Sequence, residues 1–223
     1  MTSTAADIET TRGDLGHGIY SLAELRMLIT LYGEPKDGKQ TAHWLRHALN
    51  PVEHKPWHAD HSFSDLISLF VVTQLAKRGV AARTIRDAEM HLRTKWKTDR
   101  PFAREDIKTD GVEVFCEDEP EDGRIEAASR FGQLAMREAV QEGLASVFYN
   151  EGNAAYWVPM KGVLIDPRVQ FGEPVVKGTR IPTSAVAGVV HNLGREEAVL
   201  RFSLTADLLE SALAFEDRIA ALN

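Results

Sequence analysis

Apolar residues in the first half of the chain recur every three or four positions, a spacing typical of amphipathic helices. The pattern predicts helices over Leu22–Leu31, Thr41–Leu49 and Phe63–Arg78, and a further helix that repeats Ile85, Ala88, Leu92 and Trp96. Ser21 and Glu24 have the spacing of a capping box, which predicts where the first helix begins. Residues 50–62, with two prolines and three histidines, are expected to form a loop.

The second half mixes short strands with helices. Apolar and polar residues alternate at 112–116, which predicts a strand; a helix over 125–142 and a hairpin of Leu144–Tyr149 with Ala155–Val158 are expected to follow. Three β-type runs come next, at Val163–Ile165, Val169–Phe171 and Val175–Val176. Gly194 and the capping residue Thr205 then divide the chain end into helices predicted over 183–192, 195–202 and 206–222.

The predicted fold is therefore mainly α with small β elements. Residues 1–18 are predicted to be a disordered tail, residues 19–110 a helical domain, residues 111–160 a connector and residues 161–223 a second module.

Composition is that of a globular protein, with 43% hydrophobic and 26% charged residues among 223. The longest apolar run, Leu66–Ala76, is too short to span a bilayer. The single cysteine, Cys116, excludes an internal disulfide and fits a reducing cytoplasm, where we expect the protein to act.

The net charge of −7 argues against nucleic-acid binding, but the charge is unevenly distributed. Residues 1–110 hold 16 Lys and Arg against 15 Asp and Glu, whereas the remaining residues hold 10 against 18. Residues 77–108 alone hold 10 basic and 5 acidic side chains. The outer face of the last of the predicted helices in this half is expected to carry Arg83, Arg86, Arg93, Lys95 and Lys97, and such a concentration of basic charge is what a phosphate-binding face requires.

Five histidines lie between residues 43 and 61, and His43 and His47 have the i, i+4 spacing of metal ligands on a helix. The same side chains can instead face DNA, and we favour that interpretation over a metal site. The sequence has no nucleophile elbow, no P-loop and no His-Glu-x-x-His motif, so we expect neither an enzyme nor a bound cofactor.

The stretch IDPRVQFGEPVVKGTRIP, followed by a helix, Gly194, Glu196, Glu197 and LTADLLESAL, resembles the predicted-antitoxin domain of unknown function DUF433. The resemblance covers roughly the last 60 residues. It implies an antitoxin, of the VapB type, whose partner is a PIN-domain ribonuclease toxin.

Residues 19–97 resemble the winged helix-turn-helix domain of MerR-type regulators, through IYSLAEL, TAHWLRHALNP and HSFSDLISLFVVTQLAKRGVAARTIRDAEMHL. The resemblance implies that the second helix enters the major groove of an operator. The sequence departs from the family at residues 43–45, where many members have Arg-Tyr-Tyr, and at Ala81, where a Ser or Thr cap is usual.

Outward side chains near the start of the second helix are the candidates for reading base edges: Thr41, His43, Trp44, Arg46 and His47. For Trp44, packing within the domain is an equally open alternative. Contacts to phosphate are expected from Lys39, Lys55, Arg83 and Arg86, although an ordinary charged surface remains an alternative for them.

Three cations of the last module, Arg168, Lys177 and Arg180, are candidates for toxin binding. A guanidinium there can pair with the carboxylates of a nuclease metal site. For Arg180 the favoured alternative is that its side chain stabilises the turn beside Gly178 and Thr179.

The combined hypothesis is a DNA-binding antitoxin that neutralises a PIN-domain ribonuclease and represses its own operon. A homodimer is expected, because two-fold pairing on a palindromic operator doubles the contacts of a short recognition helix. The alternative is a stand-alone MerR-like regulator whose C-terminal module senses a ligand or dimerises.

Overall fold

The computed structural model describes residues 20–33, 61–77, 80, 82–108, 141 and 143–222. Several predicted elements lie wholly or mostly outside these residues. They are the tail at 1–18, the helix at 41–49, most of the loop at 50–62, the strand at 112–116 and nearly all of the helix at 125–142.

The described part is mostly helical with one small antiparallel sheet, which confirms the predicted fold class. The helices are α1 (Leu22–Gly33), α2 (Phe63–Lys77), α3 (Ala82–Trp96), α4 (Thr183–Leu193), α5 (Arg195–Phe202) and α6 (Ala206–Ala220). The strands are β1 (Val147–Asn150), β2 (Asn153–Met160), β3 (Val163–Ile165) and β4 (Val175–Val176), and they form one sheet in that order.

By its contacts the chain divides into two compact units. The C-terminal unit comprises residues 1–20, 60–63 and 156–223, and the central unit comprises residues 21–59 and 64–155.

Two predicted helix caps are present. The Ser21 amide donates to Glu24 Oε2 at 2.7 Å and the Glu24 amide donates to Ser21 Oγ at 3.2 Å, so both halves of the capping box are made. At α6, the Leu208 amide donates to Thr205 Oγ1 at 3.4 Å. Caps of this kind satisfy amides that have no partner within the helix, which is why they mark the two helix starts correctly.

The core of the central unit is built around α2. Residues 65 to 73 of this helix are all buried, so α2 is enclosed on every side and not only along one stripe. Leu25, Leu28 and Ile29 of α1 and Ile85 of α3 are also buried. In the C-terminal unit, α4, α5, α6 and β4 share a cluster of small and medium apolar side chains: Val176, Val186, Ala198, Leu204, Leu209 and Ala212.

The strand predicted at Val169–Phe171 is wrong. Residues 170–172 form a short 3-10 turn in which Phe171 has φ 55° and ψ 24°. Its start is fixed by Asp166, whose side-chain oxygen accepts the Arg168 amide at 2.9 Å and whose carbonyl accepts the Val169 amide at 2.8 Å. These bonds turn the chain before it can pair with a neighbouring strand.

Candidate functional sites

The exposed face of α3 carries the predicted phosphate-binding residues that the structure describes. The Arg83 side chain is 92% exposed, and its Nε lies 3.7 Å from Asp87 Oδ2. Arg86 is also exposed and makes no hydrogen bond or ion pair within the described part of the chain. A pair as exposed as Arg83 and Asp87 is weak, so both guanidinium groups remain available to a polyanion.

Arg93 does not belong to this face, contrary to the sequence-based prediction. Its Nη2 donates to Glu89 Oε1 at 2.7 Å, and its side chain is only 21% exposed. The Glu89 side chain is fully buried; burial raises the pKa of Glu89, against the opposing effect of the Arg93 hydrogen bond and charge. Arg93 therefore balances a buried carboxyl group inside the protein.

Two further cations of residues 77–108 are also engaged within the central unit. Arg100 donates to the largely buried Asp65, and Arg104 Nε donates to Asp106 Oδ2 at 2.7 Å. The outward basic surface of this segment is thus smaller than its composition indicates. Among the described side chains of this segment, the exposed cations are Lys77, Arg83, Arg86, Lys95 and Lys97.

Seven predicted DNA-binding residues lie outside the described residues: Lys39, Thr41, His43, Trp44, Arg46, His47 and Lys55. Their roles stay predictions. In the part of the chain that is described, no three His, Cys, Asp or Glu side chains are placed to hold a metal ion. Of the five clustered histidines, only His61 is among these residues.

In the C-terminal unit, Arg168 is fixed by Asp166. Its Nε donates to Asp166 Oδ1 at 2.9 Å and its Nη2 donates to Asp166 Oδ2 at 2.8 Å, a bidentate arrangement. Burial of Asp166 opposes ionisation, but the hydrogen bonds and charge of Arg168 outweigh it and lower the pKa of Asp166. The Arg168 side chain nevertheless stays 64% exposed, so one edge of a fixed guanidinium faces solvent.

Lys177 and Arg180 lie on the turn that follows β4, and both are exposed. The turn is stabilised by Thr179, whose Oγ1 donates to the Val176 carbonyl at 2.8 Å and accepts the Ile181 amide at 3.0 Å. Only the main-chain carbonyl of Arg180 is used, as an acceptor. Its guanidinium has no partner among the residues described, so the structural role favoured for this side chain is not seen.

A cavity of about 510 Å³ lies between α4 and α6, beside the start of α5. Glu216 is half-buried at this cavity and accepts a hydrogen bond from Thr183 Oγ1. Burial raises the pKa of Glu216, the Thr183 bond opposes this rise, and the charge of Glu173 adds to it. The lining is mixed apolar and charged: Ala187, Val190, His191, Arg195, Leu213, Glu216, Asp217, Ile219 and Ala220.

Three exposed apolar residues of the C-terminal unit are not indicated by the sequence pattern. Phe171 is 73% exposed, Leu200 is 75% exposed and Leu193 is 55% exposed. Phe171 was assigned to a strand. For Leu200 a signal was available: residues two positions apart on a helix lie on different faces, so Leu200 does not share the buried face of Ala198.

None of the helices in the described residues is long and apolar enough to cross a lipid bilayer.

Comparison with known proteins adds to this geometry. Residues 163–215 match the family model described as protein of unknown function, DUF433. The matched segment begins with β3 and ends within α6, so it takes in Arg168, Phe171 and Arg180 but only part of the chain.

Two matches extend far beyond that segment. Over 179 residues the chain is 28% identical to a Mycobacterium tuberculosis (strain ATCC 25618 / H37Rv) protein named "Putative antitoxin VapB45", covering 74% of this chain and 73% of that protein. The crystal structure of Rv2018 from Mycobacterium tuberculosis superposes with a TM-score of 0.66 at 22% identity, covering 87% of this chain and 96% of that one. The second match shows a shared fold only.

Proposed function

We propose that this chain is the antitoxin of a toxin–antitoxin pair, and that it binds and neutralises a PIN-domain ribonuclease through its C-terminal unit. The observation that carries the proposal is the similarity to a protein named as an antitoxin over about three quarters of both chains. The role is one of binding, not of catalysis.

Exposed cations of the C-terminal unit support this role. Arg180 presents a guanidinium that has no partner among the described residues, and Arg168 presents the solvent-facing edge of a guanidinium held in place by Asp166. A nuclease that holds a divalent metal ion does so with carboxylates, and arginine binds carboxylates with two parallel hydrogen bonds. These side chains are therefore suited to occupy such a site and exclude the metal.

The test is co-expression of the chain with the nuclease encoded beside its gene. The wild-type chain should restore growth and co-purify with the nuclease. Arg180→Glu should restore growth poorly, because it places a carboxylate against carboxylates. Arg218→Glu is the matched control: Arg218 is an exposed arginine of α6, outside this group, and its variant should rescue like the wild type. Equal rescue by both variants would exclude Arg180 from the interface.

DNA binding and autoregulation form the second part of the proposal, with a homodimer on a double-stranded operator. Exposed Arg83 and Arg86 support it, since their positive charge is available to phosphate. In gel-shift titrations, binding should weaken steeply as salt rises. Arg83→Ala should weaken binding to all DNA about equally, whereas Arg46→Ala should remove the preference for the operator. Gel shifts like that of the wild type for both variants would contradict these assignments.

The cavity between α4 and α6 favours a second candidate function, that of a stand-alone MerR-like regulator with a ligand-sensing C-terminal unit. Its volume of about 510 Å³ lies in the range of small-molecule sites, roughly 300–1,000 Å³. The two functions differ in one observation: an antitoxin forms a complex with the adjacent gene product, whereas a stand-alone regulator does not.

A further inference from the structure

The loop after Arg168 holds an unusual backbone conformation. Gln170 has φ 47°, Phe171 has φ 55° and Gly172 has φ 89°, so three successive residues are left-handed. Only the last is glycine. In the other two, the Cβ atom crowds the following carbonyl oxygen, which makes this region unfavourable. Such a conformation persists only where the surrounding structure fixes it, and it is concentrated at functional positions.

Two side-chain hydrogen bonds hold this loop, one from Tyr20 and one to the Arg180 carbonyl. The buried Tyr20 hydroxyl donates to the Gly172 carbonyl at 3.0 Å, across 152 positions of sequence. From the other side, Gln170 Nε2 donates to the Arg180 carbonyl at 3.0 Å. The loop is therefore held on both sides of Phe171.

The fixed conformation directs Phe171 away from the core. Its side chain is 73% exposed, so the residue gains little from burial in return for its unfavourable backbone. Two exposed arginines belong to the same part of the chain: Arg168 lies just before the loop, and the main-chain carbonyl of Arg180 is bonded to Gln170. An exposed aromatic residue on a loop held by hydrogen bonds, with an exposed arginine three positions before it, combines two residue types that are enriched in protein interfaces.

We propose that Phe171 is the apolar anchor of partner binding, inserting into an apolar pocket of the ribonuclease while Arg168 and Arg180 pair with carboxylates at its rim. The identity of the partner rests on the proposed function. The anchor itself rests on the left-handed loop, its two hydrogen bonds and the exposure of the ring.

The experiment measures binding of the full chain to the ribonuclease encoded beside its gene, by calorimetric titration, together with the Tm of each variant alone. Phe171→Asn is the informative change, because asparagine tolerates the left-handed conformation while lacking the aromatic ring. It should lower affinity about 30-fold or more, as expected for a hot spot, and leave Tm unchanged or raised. Leu200→Gln is the matched control: Leu200 is 75% exposed on α5, and its variant should bind like the wild type.

Failure of the anchor can be told apart from failure of the proposed function. If the wild-type chain does not bind, the antitoxin proposal fails and the anchor fails with it. If the wild type binds and Phe171→Asn binds equally well, only the anchor is overturned. A marked fall in Tm for Phe171→Asn would show that the ring stabilises the fold, and equal losses for Phe171→Asn and Leu200→Gln would show that no particular apolar residue is the anchor. Either result also overturns it.

Discussion

Breaking the ion pair between Asp65 and Arg100 should destabilise the central unit strongly. The Asp65 and Arg100 side chains are only 8% and 20% exposed. Removing one partner of a buried pair leaves a charge with poor solvation and costs roughly 3–5 kcal/mol. Asp65 lies in the first turn of α2, where the helix dipole still favours a carboxylate by about 0.3–1 kcal/mol. We therefore expect Arg100→Met to lower the free energy of unfolding by about 2–4 kcal/mol.

The measurement is urea unfolding followed by far-ultraviolet circular dichroism, with the slope of each transition checked against the wild type. Arg83→Met is the matched control: its pair with Asp87 is exposed and should contribute less than about 1 kcal/mol. Replacing both partners, as Asp65→Asn with Arg100→Met, should recover part of the loss, because no buried carboxylate then lacks the arginine. If Arg100→Met and Arg83→Met unfold at the same urea concentration, the buried pair does not stabilise the protein more than the exposed pair does.

Three further predictions concern the C-terminal unit. Gly162→Ala should destabilise this unit by about 1–3 kcal/mol more than Gly178→Ala. Both glycines have positive φ, but a Cβ atom at Gly162 would lie 2.5 Å from Ser211 Cβ, whereas a Cβ atom at Gly178 would meet no atom within 4 Å. Equal losses in urea unfolding would show that backbone conformation alone sets the cost. Because folding lowers the pKa of Asp166, the ionised carboxylate stabilises the protein above its unfolded pKa, and this stabilisation is lost as pH falls through the folded pKa. Asp166→Asn should therefore flatten the acid side of a curve of unfolding free energy against pH, and an unchanged acid side would contradict this. Because folding raises the pKa of Glu216, the free energy of unfolding decreases as pH rises from the unfolded to the folded pKa. Glu216→Gln should remove this decrease and stabilise the protein at neutral pH, as measured on the same curve.

The sequence predicts the helices well where their ends carry a physical signal. Ser21 and Glu24 mark the start of α1, and Thr205 marks the start of α6, because a side-chain oxygen three residues before an amide can cap it. The strand error at Val169–Phe171 had a signal too, since Asp166-Pro167 is a turn-forming pair. The β-type residues after it outweighed that signal in the prediction.

Other features could not be predicted because they depend on tertiary contacts. The helical pattern predicts Arg93 on the basic face, whereas its guanidinium pairs with Glu89. The i, i+4 spacing of the two residues is visible in the sequence, but a fully buried glutamate is rare and no local pattern indicates it. The hydrogen bond from Tyr20 to the Gly172 carbonyl likewise joins residues too far apart in sequence for a local pattern to predict it. Arg168, Lys177 and Arg180 are candidates for toxin binding on the chemistry of their charged groups, whereas the exposure of Phe171 depends on the folded loop.

The hydrogen bond from Tyr20 to Gly172 has a consequence for biosynthesis. Tyr20 is translated long before Gly172, and it also exchanges backbone hydrogen bonds of 2.8 Å with His61. The C-terminal unit therefore cannot complete its fold until its last helices have left the ribosome, whereas all residues of the central unit have been translated by residue 155. Contacts of such long sequence separation form slowly. A newly made chain can thus complete its central unit first, and it acquires the surface around Phe171 only after the segment from Tyr156 onward has left the ribosome.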